Sequence, residues 1–153
     1  MLTDAWAGDL KPSNLLVDTN LRIKISDFGL SSHIGHQGAG SLAFMAPELL
    51  NGGWTSQETD EFAFAIVMAE TLSRKSAYGD MDTQCLKETV GDIFRQPPVR
   101  PVVDTTNVPT AIVVMMERCW DNNPQVRLNL VAINTQLQGM RIGGIGKSLF
   151  KRG

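Results

Sequence analysis

The stretch Asp9-Leu10-Lys11-Pro12-Ser13-Asn14 places a carboxylate, an ammonium group and a carboxamide within one short segment. Pro12 fixes its own φ angle and disfavours helical backbone at the residue before it, which predicts a shaped loop rather than a helical turn. A loop that presents a base, a cation and an oxygen ligand together is suited to phosphate chemistry. A simpler alternative is a polar loop whose Asp and Asn side chains bond to nearby backbone.

Two short apolar runs, Leu15-Leu16-Val17 and Leu21-Arg22-Ile23-Lys24-Ile25, flank the turn-forming residues Asp18-Thr19-Asn20. The second run alternates apolar and polar residues, so the pattern predicts a short β-hairpin. A hairpin returns its two ends to the same place. It would therefore bring Asn14, just before the first strand, close to Asp27, just after the second.

The tripeptide Asp27-Phe28-Gly29 begins thirteen residues after Asn14, and Ala46-Pro47-Glu48 follows further along the chain. Asp27 offers a hard carboxylate for Mg²⁺, and the glycine supplies a permissive backbone hinge. These motifs and the Asp9–Asn14 loop, in this order and at these distances, are similar to the catalytic loop, the metal loop and the activation segment of eukaryotic protein kinases. The chain therefore resembles the C-terminal lobe of a protein kinase, from about residue 9 to about residue 137.

The resemblance implies a mostly α fold with a small β-hairpin, a partial form of the α+β kinase fold. Residues 1–138 would form the lobe, Gly139 would end the last helix, and residues 139–153 would be a flexible basic tail. The glycine-rich loop and the V-A-I-K strand of the family are not found in the sequence. The N-terminal kinase lobe is therefore expected to be a missing partner of this chain. The run 143–148, Gly-Gly-Ile-Gly-Lys-Ser, looks like a phosphate loop, but Arg141 stands where a Walker motif needs glycine.

The resemblance also implies roles in transfer of a phosphoryl group from ATP, with Mg²⁺ as the metal. Asp9 would be the general base that accepts a proton from a hydroxyl of the protein substrate. Lys11 would neutralise charge on the transferred group, and Asn14 and Asp27 would bind the metal. Two further side chains would line the floor of the nucleotide pocket, Leu16 and Ser26.

The segment 40–48, Gly-Ser-Leu-Ala-Phe-Met-Ala-Pro-Glu, is similar to the family's G-T-x-x-Y-M-A-P-E. By this resemblance, the Ser41 hydroxyl would bond the catalytic aspartate and lysine, and together with Lys11 it favours a serine/threonine-type site. Cys119-Trp120, with Asn123-Pro124 and Arg127, resembles the tyrosine-kinase-like branch. Arg127 would pair with Glu48 of the activation segment. Ser31, Ser32, His33 and His36, between the two motifs, are interpreted as ordinary loop residues.

The residues Thr55-Ser56-Gln57-Glu58 fit a capping box in which the Thr and Glu side chains bond each other's backbone amides. This box predicts the start of a helix that runs to about Leu72. The helix is apolar on nearly every side, which places it in the middle of a domain. Asp60 is the exception. By resemblance it bonds the catalytic-loop backbone, and a first-turn carboxylate favoured by the helix dipole is a compatible alternative.

The sequence departs from the family at Ala7-Gly8, where a kinase has His-Arg ahead of the catalytic aspartate. Without that guanidinium, a bidentate contact with a phosphorylated activation segment cannot form there. The departure leaves two hypotheses open. The intact protein is a Ser/Thr kinase, or this chain is a catalytically inactive lobe that acts as a scaffold or interaction module.

The composition fits a single globular domain, with 153 residues, 42% hydrophobic and 20% charged. A formal net charge of −2 gives no electrostatic reason to expect nucleic acid as a partner. Cys85 and Cys119 are far apart, which is typical of reduced thiols in a cytoplasmic, intracellular protein. The expected partner is a protein substrate with a Ser or Thr hydroxyl, and the sequence contains no segment expected to span a membrane.

Overall fold

The computed structural model describes residues 6–26 and 42–142, and the structural statements below concern those ranges. Asp27, Phe28, Gly29 and Ser41 lie outside them, as do the histidine pair and residues 143–153. The described part is mostly helical with one two-stranded antiparallel sheet, which confirms the predicted fold class and is consistent with a partial protein kinase fold.

The predicted hairpin is present and follows the Asp9–Asn14 loop directly. Strand β1 (Leu15–Val17) pairs with strand β2 (Ile23–Ile25), with Leu15 opposite Ile25 and Val17 opposite Ile23. The connecting turn is held by the Asp18 carboxylate, which accepts hydrogen bonds from the backbone N–H groups of Asn20 and Arg22. Leu21 adopts φ of 58°, so it belongs to the turn and β2 begins two residues later than the sequence pattern predicts.

Five α-helices follow the hairpin in the described ranges, which also contain three short 3₁₀ turns, one of them before the hairpin. None of these helices is long and apolar enough to cross a membrane. The helices are α1 (Pro47–Leu50), α2 (Gln57–Ser73), α3 (Thr83–Thr89), α4 (Thr110–Cys119) and α5 (Leu130–Ile142). The 3₁₀ turns are Pro12–Asn14, Leu42–Phe44 and Pro124–Val126.

The start of α2 corrects the predicted capping box. Ser56, not Thr55, is the N-cap residue, and its backbone N–H donates to the Thr59 hydroxyl over 2.9 Å. The Thr55 hydroxyl instead accepts a hydrogen bond from the Trp6 indole at 3.2 Å. The Glu58 carboxylate accepts from the Ser56 hydroxyl and from its own backbone amide. Two neighbouring hydroxyl residues can both cap a helix, and here the contact with Trp6 occupies the first of them.

Helix α2 lies at the centre of the hydrophobic core, as its apolar composition predicts. Phe62 and Ile66 are fully buried on one side of it, against a cluster formed by Leu42, Ala46, Leu50, Ala77, Leu86 and Val90. Ala65 and Ala69 pack on another side, against Met115, Met116, Cys119, Leu128 and Ile133. Each large apolar side chain buried in this way contributes about 1.5–3 kcal/mol to folding.

The last helix is longer than the sequence predicts. Gly139 does not end α5, which continues to Ile142, so residues 139–142 are not part of a flexible tail. A glycine inside a helix costs about 1 kcal/mol relative to alanine and does not by itself end the helix. Leu137 and Met140, on either side of Gly139, pack against the cluster around Ala65 and Met115, which offsets that cost.

Candidate active site

Asp9, Lys11 and Asn14 meet in the loop that precedes the hairpin. The Lys11 ammonium forms an ion pair with the Asp9 carboxylate at 2.5 Å. The amide nitrogen of Asn14 donates to the backbone oxygen of Asp9 at 2.8 Å and approaches its carboxylate at 3.3 Å. Because the amide nitrogen is directed to Asp9, the Asn14 carbonyl oxygen is the atom that can face a cation.

The ends of the hairpin connect this loop to the start of the 27–41 segment. The backbone oxygen of Asn14 accepts hydrogen bonds from the N–H of Ser26, at 2.8 Å, and from its hydroxyl, at 3.2 Å. Ser26 is the residue before Asp27, so the backbone just ahead of the metal motif is tied to Asn14. The Asp27 side chain itself lies outside the described residues.

Asp60, at the start of α2, holds the backbone just ahead of Asp9. Its carboxylate accepts hydrogen bonds from the N–H of Ala7, at 2.5 Å, and from the N–H of Gly8, at 3.0 Å. Gly8 has φ of 76°, a left-handed conformation that glycine adopts at no steric cost. Ala7 and Gly8, which stand where the family has His-Arg, present their backbone N–H groups to Asp60.

Burial acts on Asp60 against these hydrogen bonds. Asp60 is only 5% exposed, and its removal from water raises the pKa of its carboxyl group above the ordinary value. The two backbone N–H bonds oppose the rise, and the charge of Asp9 adds to it. The ionised carboxylate accepts hydrogen bonds from both backbone N–H groups. These two donors therefore favour the ionised form of Asp60.

We expect the substitution Asp60→Asn to lower the free energy of unfolding by about 1–3 kcal/mol, because one of two buried N–H groups would lose its acceptor. Urea unfolding of the chain measures this. The matched control is Asp82→Asn at the exposed N-cap of α3, where Asp82 accepts from the N–H of Cys85 and asparagine caps a helix about as well. Equal losses in the two variants would contradict the anchoring role of Asp60.

Glu48 and Arg127 are brought together across a long stretch of sequence. The guanidinium nitrogens of Arg127 contact the two carboxylate oxygens of Glu48 at 2.6 and 2.8 Å, a bidentate arrangement. Arg127 also donates to the backbone oxygens of Glu58, at 2.8 Å, and of Asp121, at 2.9 Å. The pair links α1 to the start of α2 and to the segment before α5.

The residues assigned to the nucleotide pocket have different surroundings. Leu16 lies opposite Lys24 in the hairpin and is more than half exposed. The Ser26 hydroxyl bonds to the backbone of Asn14, as described above. Ser41, assigned to the substrate side of the site, lies outside the described residues.

Two features near this site are not predicted from the sequence. Glu61 is a buried carboxyl group inside the apolar helix α2. Arg100 lies over the ring of Phe62 at 5.0 Å, with Arg127 at 5.2 Å from the same ring. The available signals were a second carboxylate beside Asp60 in an otherwise apolar run, and an arginine within the proline-rich connector before α4.

The Asp9–Asn14 loop contains an oxygen ligand of the type that binds Mg²⁺. Mg²⁺ prefers oxygen ligands and binds through one or two carboxylates together with substrate phosphates. Asn14 offers a carbonyl oxygen here, and Asp27, the predicted carboxylate ligand, lies outside the described residues. Within residues 6–26 and 42–142, no group of three or more His, Cys, Asp or Glu side chains could hold a metal ion. A complete site there therefore needs ligands beyond those side chains.

Comparison with known proteins identifies the family. Residues 7–137 match the protein kinase domain. The chain belongs to the protein kinase family. Its relatives include the dual specificity protein kinase shkA of Dictyostelium discoideum, to which it is 33% identical over 139 residues, covering 85% of this chain and 26% of the relative.

Two more relatives carry serine/threonine kinase names. The kinase chain is 36% identical over 140 residues to the probable serine/threonine-protein kinase drkC of Dictyostelium discoideum, covering 86% of this chain and 18% of the relative. It is 33% identical over 133 residues to the receptor-interacting serine/threonine-protein kinase 3 of Rattus norvegicus, covering 78% of this chain and 28% of the relative. The kinase chain thus spans between 18% and 28% of the length of these relatives.

Proposed function

We propose that the intact protein transfers the γ-phosphoryl group of Mg-ATP to a serine or threonine hydroxyl of a protein substrate. The observation that carries this proposal is the meeting of Asp9, Lys11 and Asn14, with the Asn14 amide 2.8 Å from the Asp9 backbone and the Lys11 ammonium on the Asp9 carboxylate. Phosphoryl transfer depends mainly on positioning and charge neutralisation, and this loop supplies a base, a cation and an oxygen ligand.

In this proposal each residue of the loop has one task. Asp9 accepts the proton of the substrate hydroxyl, and Lys11 offsets negative charge that builds up on the transferred phosphoryl group. Asn14 and Asp27 would hold Mg²⁺, which would neutralise phosphate charge when bound. Leu16 and Ser26 line the nucleotide floor, and Ser41 bonds Asp9 and Lys11 on the substrate side. Asp60, Glu48 and Arg127 support the site without touching the reacting groups.

We also propose that the chain is the C-terminal lobe of a kinase of the tyrosine-kinase-like branch and works in the cytoplasm, where ATP is available. The branch assignment rests on Cys119-Trp120 and Asn123-Pro124 with Arg127. The serine/threonine type rests on Lys11 and Ser41, together with the names of the relatives.

We propose that an N-terminal lobe, with the remaining kinase residues, covers an apolar surface of this chain. Four side chains of the hairpin are more than half exposed, namely Leu16, Val17, Leu21 and Ile23. A groove of about 490 Å³ lies between the hairpin and α2, lined mainly by apolar side chains that include Leu10, Leu15, Ile25, Phe64, Met68 and Leu72. Apolar surface of this extent on a soluble protein marks a contact with another part of the protein or with a partner.

The proposal is tested with the intact protein, Mg²⁺ and ATP labelled at the γ-phosphoryl group. We expect label on a general protein substrate, and phosphoamino-acid analysis should find it on serine or threonine. Label confined to tyrosine would overturn the serine/threonine assignment. No transfer to any substrate by a protein that binds Mg-ATP would favour the second candidate, a catalytically inactive lobe that acts as a scaffold. That candidate is supported by Ala7-Gly8 and by the exposed apolar hairpin.

We expect the 153-residue chain by itself to show little or no binding of Mg-ATP, because the nucleotide would contact the hairpin side of the pocket alone. Isothermal titration calorimetry of the chain with Mg-ATP measures this, and the intact protein is the matched control. Micromolar affinity in the isolated chain would contradict this expectation.

A further inference from the structure

Glu61 is a buried carboxyl group that the proposed kinase mechanism does not use. It lies on α2, next to Asp60, and the residue is 2% exposed. Carboxyl groups are rarely buried to this extent unless they are paired, because removing the charge from water is costly. The charged groups around Glu61 therefore determine the protonation state of its carboxyl group in the folded chain.

Among the described residues, the guanidinium of Arg127 is the cation whose charge acts on Glu61. Arg127 is already engaged by both carboxylate oxygens of Glu48 and by the backbone oxygens of Glu58 and Asp121. Four of its five N–H groups are used in these bonds. Little of the guanidinium is left to compensate a second buried carboxylate.

The other groups that face Glu61 add negative charge or are neutral. Glu58 and Asp60 come from its own helix, and the thiol of Cys119 faces it from α4. The hydrogen bond from the Ser56 hydroxyl lowers the pKa of Glu58, so that neighbour stays ionised. The backbone amide of Leu130, at the first residue of α5, is the hydrogen-bond donor that Glu61 meets on that side. Arg100 lies over the ring of Phe62, and its charge acts on Asp121 and Glu48 instead.

We propose that Glu61 is a proton-binding site of the folded chain, and that loss of its proton lowers the stability of the fold around α2. The Arg127 guanidinium contacts the carboxylate of Glu48 and the backbone oxygen of Glu58, and the buried carboxyl group of Glu61 is most stable when it keeps its proton. Glu48 is held by the bidentate pair and Glu58 by the Ser56 hydroxyl, which leaves Glu61 as the group that carries it.

The pKa of Glu61 agrees with this assignment in direction and cause. Burial, followed by the charge of Glu58, raises it from 4.5 to about 7, while Arg127 and the Leu130 amide lower it less. Between these two values the folded chain binds a proton that the unfolded chain has released. Stability from this group therefore falls as the pH rises from about 4.5 to about 7, and it is constant above that window.

The test is the pH dependence of urea unfolding for the 153-residue chain and for Glu61→Gln, between about pH 5 and about pH 8. We expect the ratio of the unfolding constants, parent over variant, to rise by up to about tenfold per pH unit until about pH 7 and then to level off. Glu117→Gln, an exposed carboxylate on α4, is the matched control and should keep the pH profile of the parent. A ratio for Glu61→Gln that does not change with pH would overturn the proposal.

Two further measurements keep the test decisive if Glu61→Gln does not fold. Glu61→Met replaces the carboxyl group by an apolar side chain of similar size, and it should show the same loss of pH dependence. Calorimetric unfolding of the parent chain in two buffers of different ionisation enthalpy counts released protons. We expect release of about one proton per chain near pH 6, and release of none would contradict the assignment. These readouts need no nucleotide, so they do not depend on kinase activity.

Discussion

Replacing Arg127 by methionine is expected to lower the free energy of unfolding by about 3–5 kcal/mol, a large share of the roughly 5–15 kcal/mol typical of a domain. The guanidinium of Arg127 is fully buried, whereas the Glu48 carboxylate is 27% exposed. Removing the cation would leave Glu48 without its bidentate partner. It would also remove a donor from the backbone oxygens of Glu58 and Asp121.

The loss should include more than one ion pair, because Arg127 joins separate parts of the chain. Its partners lie in α1, at the start of α2 and in the segment before α5, and its guanidinium also lies over the Phe62 ring. A cation over an aromatic face adds up to about 2 kcal/mol when it is desolvated. Methionine keeps most of the apolar stem of the side chain, so the measured loss reports mainly the charge and its hydrogen bonds.

Urea unfolding of Arg127→Met, Glu48→Gln and the double variant measures the coupling between the two side chains. We expect the double variant to be less destabilised than the sum of the single variants, because neither charge is then left unpaired. Arg118→Met, on the exposed face of α4, is the matched control and should change stability by no more than about 0.5 kcal/mol. A loss below about 1 kcal/mol in Arg127→Met would show that the ion pair contributes little.

The hairpin illustrates what local sequence can predict. Its strands follow from a short alternating pattern on each side of turn-forming residues, and both appear in the structure at the expected place. The position of Leu21 could not be predicted in the same way. It depends on the Asp18 side chain accepting two backbone N–H groups, which holds Leu21 in a left-handed conformation that leucine seldom adopts.

The start and the interior of α2 show where sequence patterns are insufficient. The capping pattern fits both Thr55 and Ser56, and the choice depends on Trp6, forty-nine positions away from its hydrogen-bond partner Thr55. The apolar run identifies a central helix, and the core confirms it. The same pattern cannot show that Glu61 is buried and meets the Leu130 amide, because that environment is built by residues from distant parts of the chain.

The candidate site was predictable to a similar extent. The order of the motifs identifies the family, which the match over residues 7–137 shows. The contacts among Asp9, Lys11 and Asn14 lie within one loop, so their proximity follows from short sequence separation. The Asp60 bonds to residues 7 and 8 connect positions more than fifty residues apart, and here a family resemblance supplied what periodicity could not. The roles of Asp27 and Ser41 stay predictions.

The substitution Asp9→Asn should lower kcat for phosphoryl transfer by the intact protein by about 100- to 10,000-fold, the range that a positioned general base contributes. Asparagine keeps an oxygen that can face the Asn14 amide and Lys11, but it cannot accept a proton from the substrate hydroxyl. The geometry of the loop should therefore survive while the chemical step is lost. The KM for ATP should change little, because Asp9 is not among the residues assigned to the nucleotide.

Steady-state kinetics with the γ-labelled nucleotide measure this effect, and thermal unfolding shows whether the variant is folded. Asp80→Asn makes the same chemical change at an exposed position outside the loop, and it should retain the parent kcat. A less than tenfold drop in kcat for Asp9→Asn would mean that another group takes the proton. A large rise in KM with unchanged kcat would instead place Asp9 in substrate binding, because only a loss of transition-state interaction lowers kcat itself.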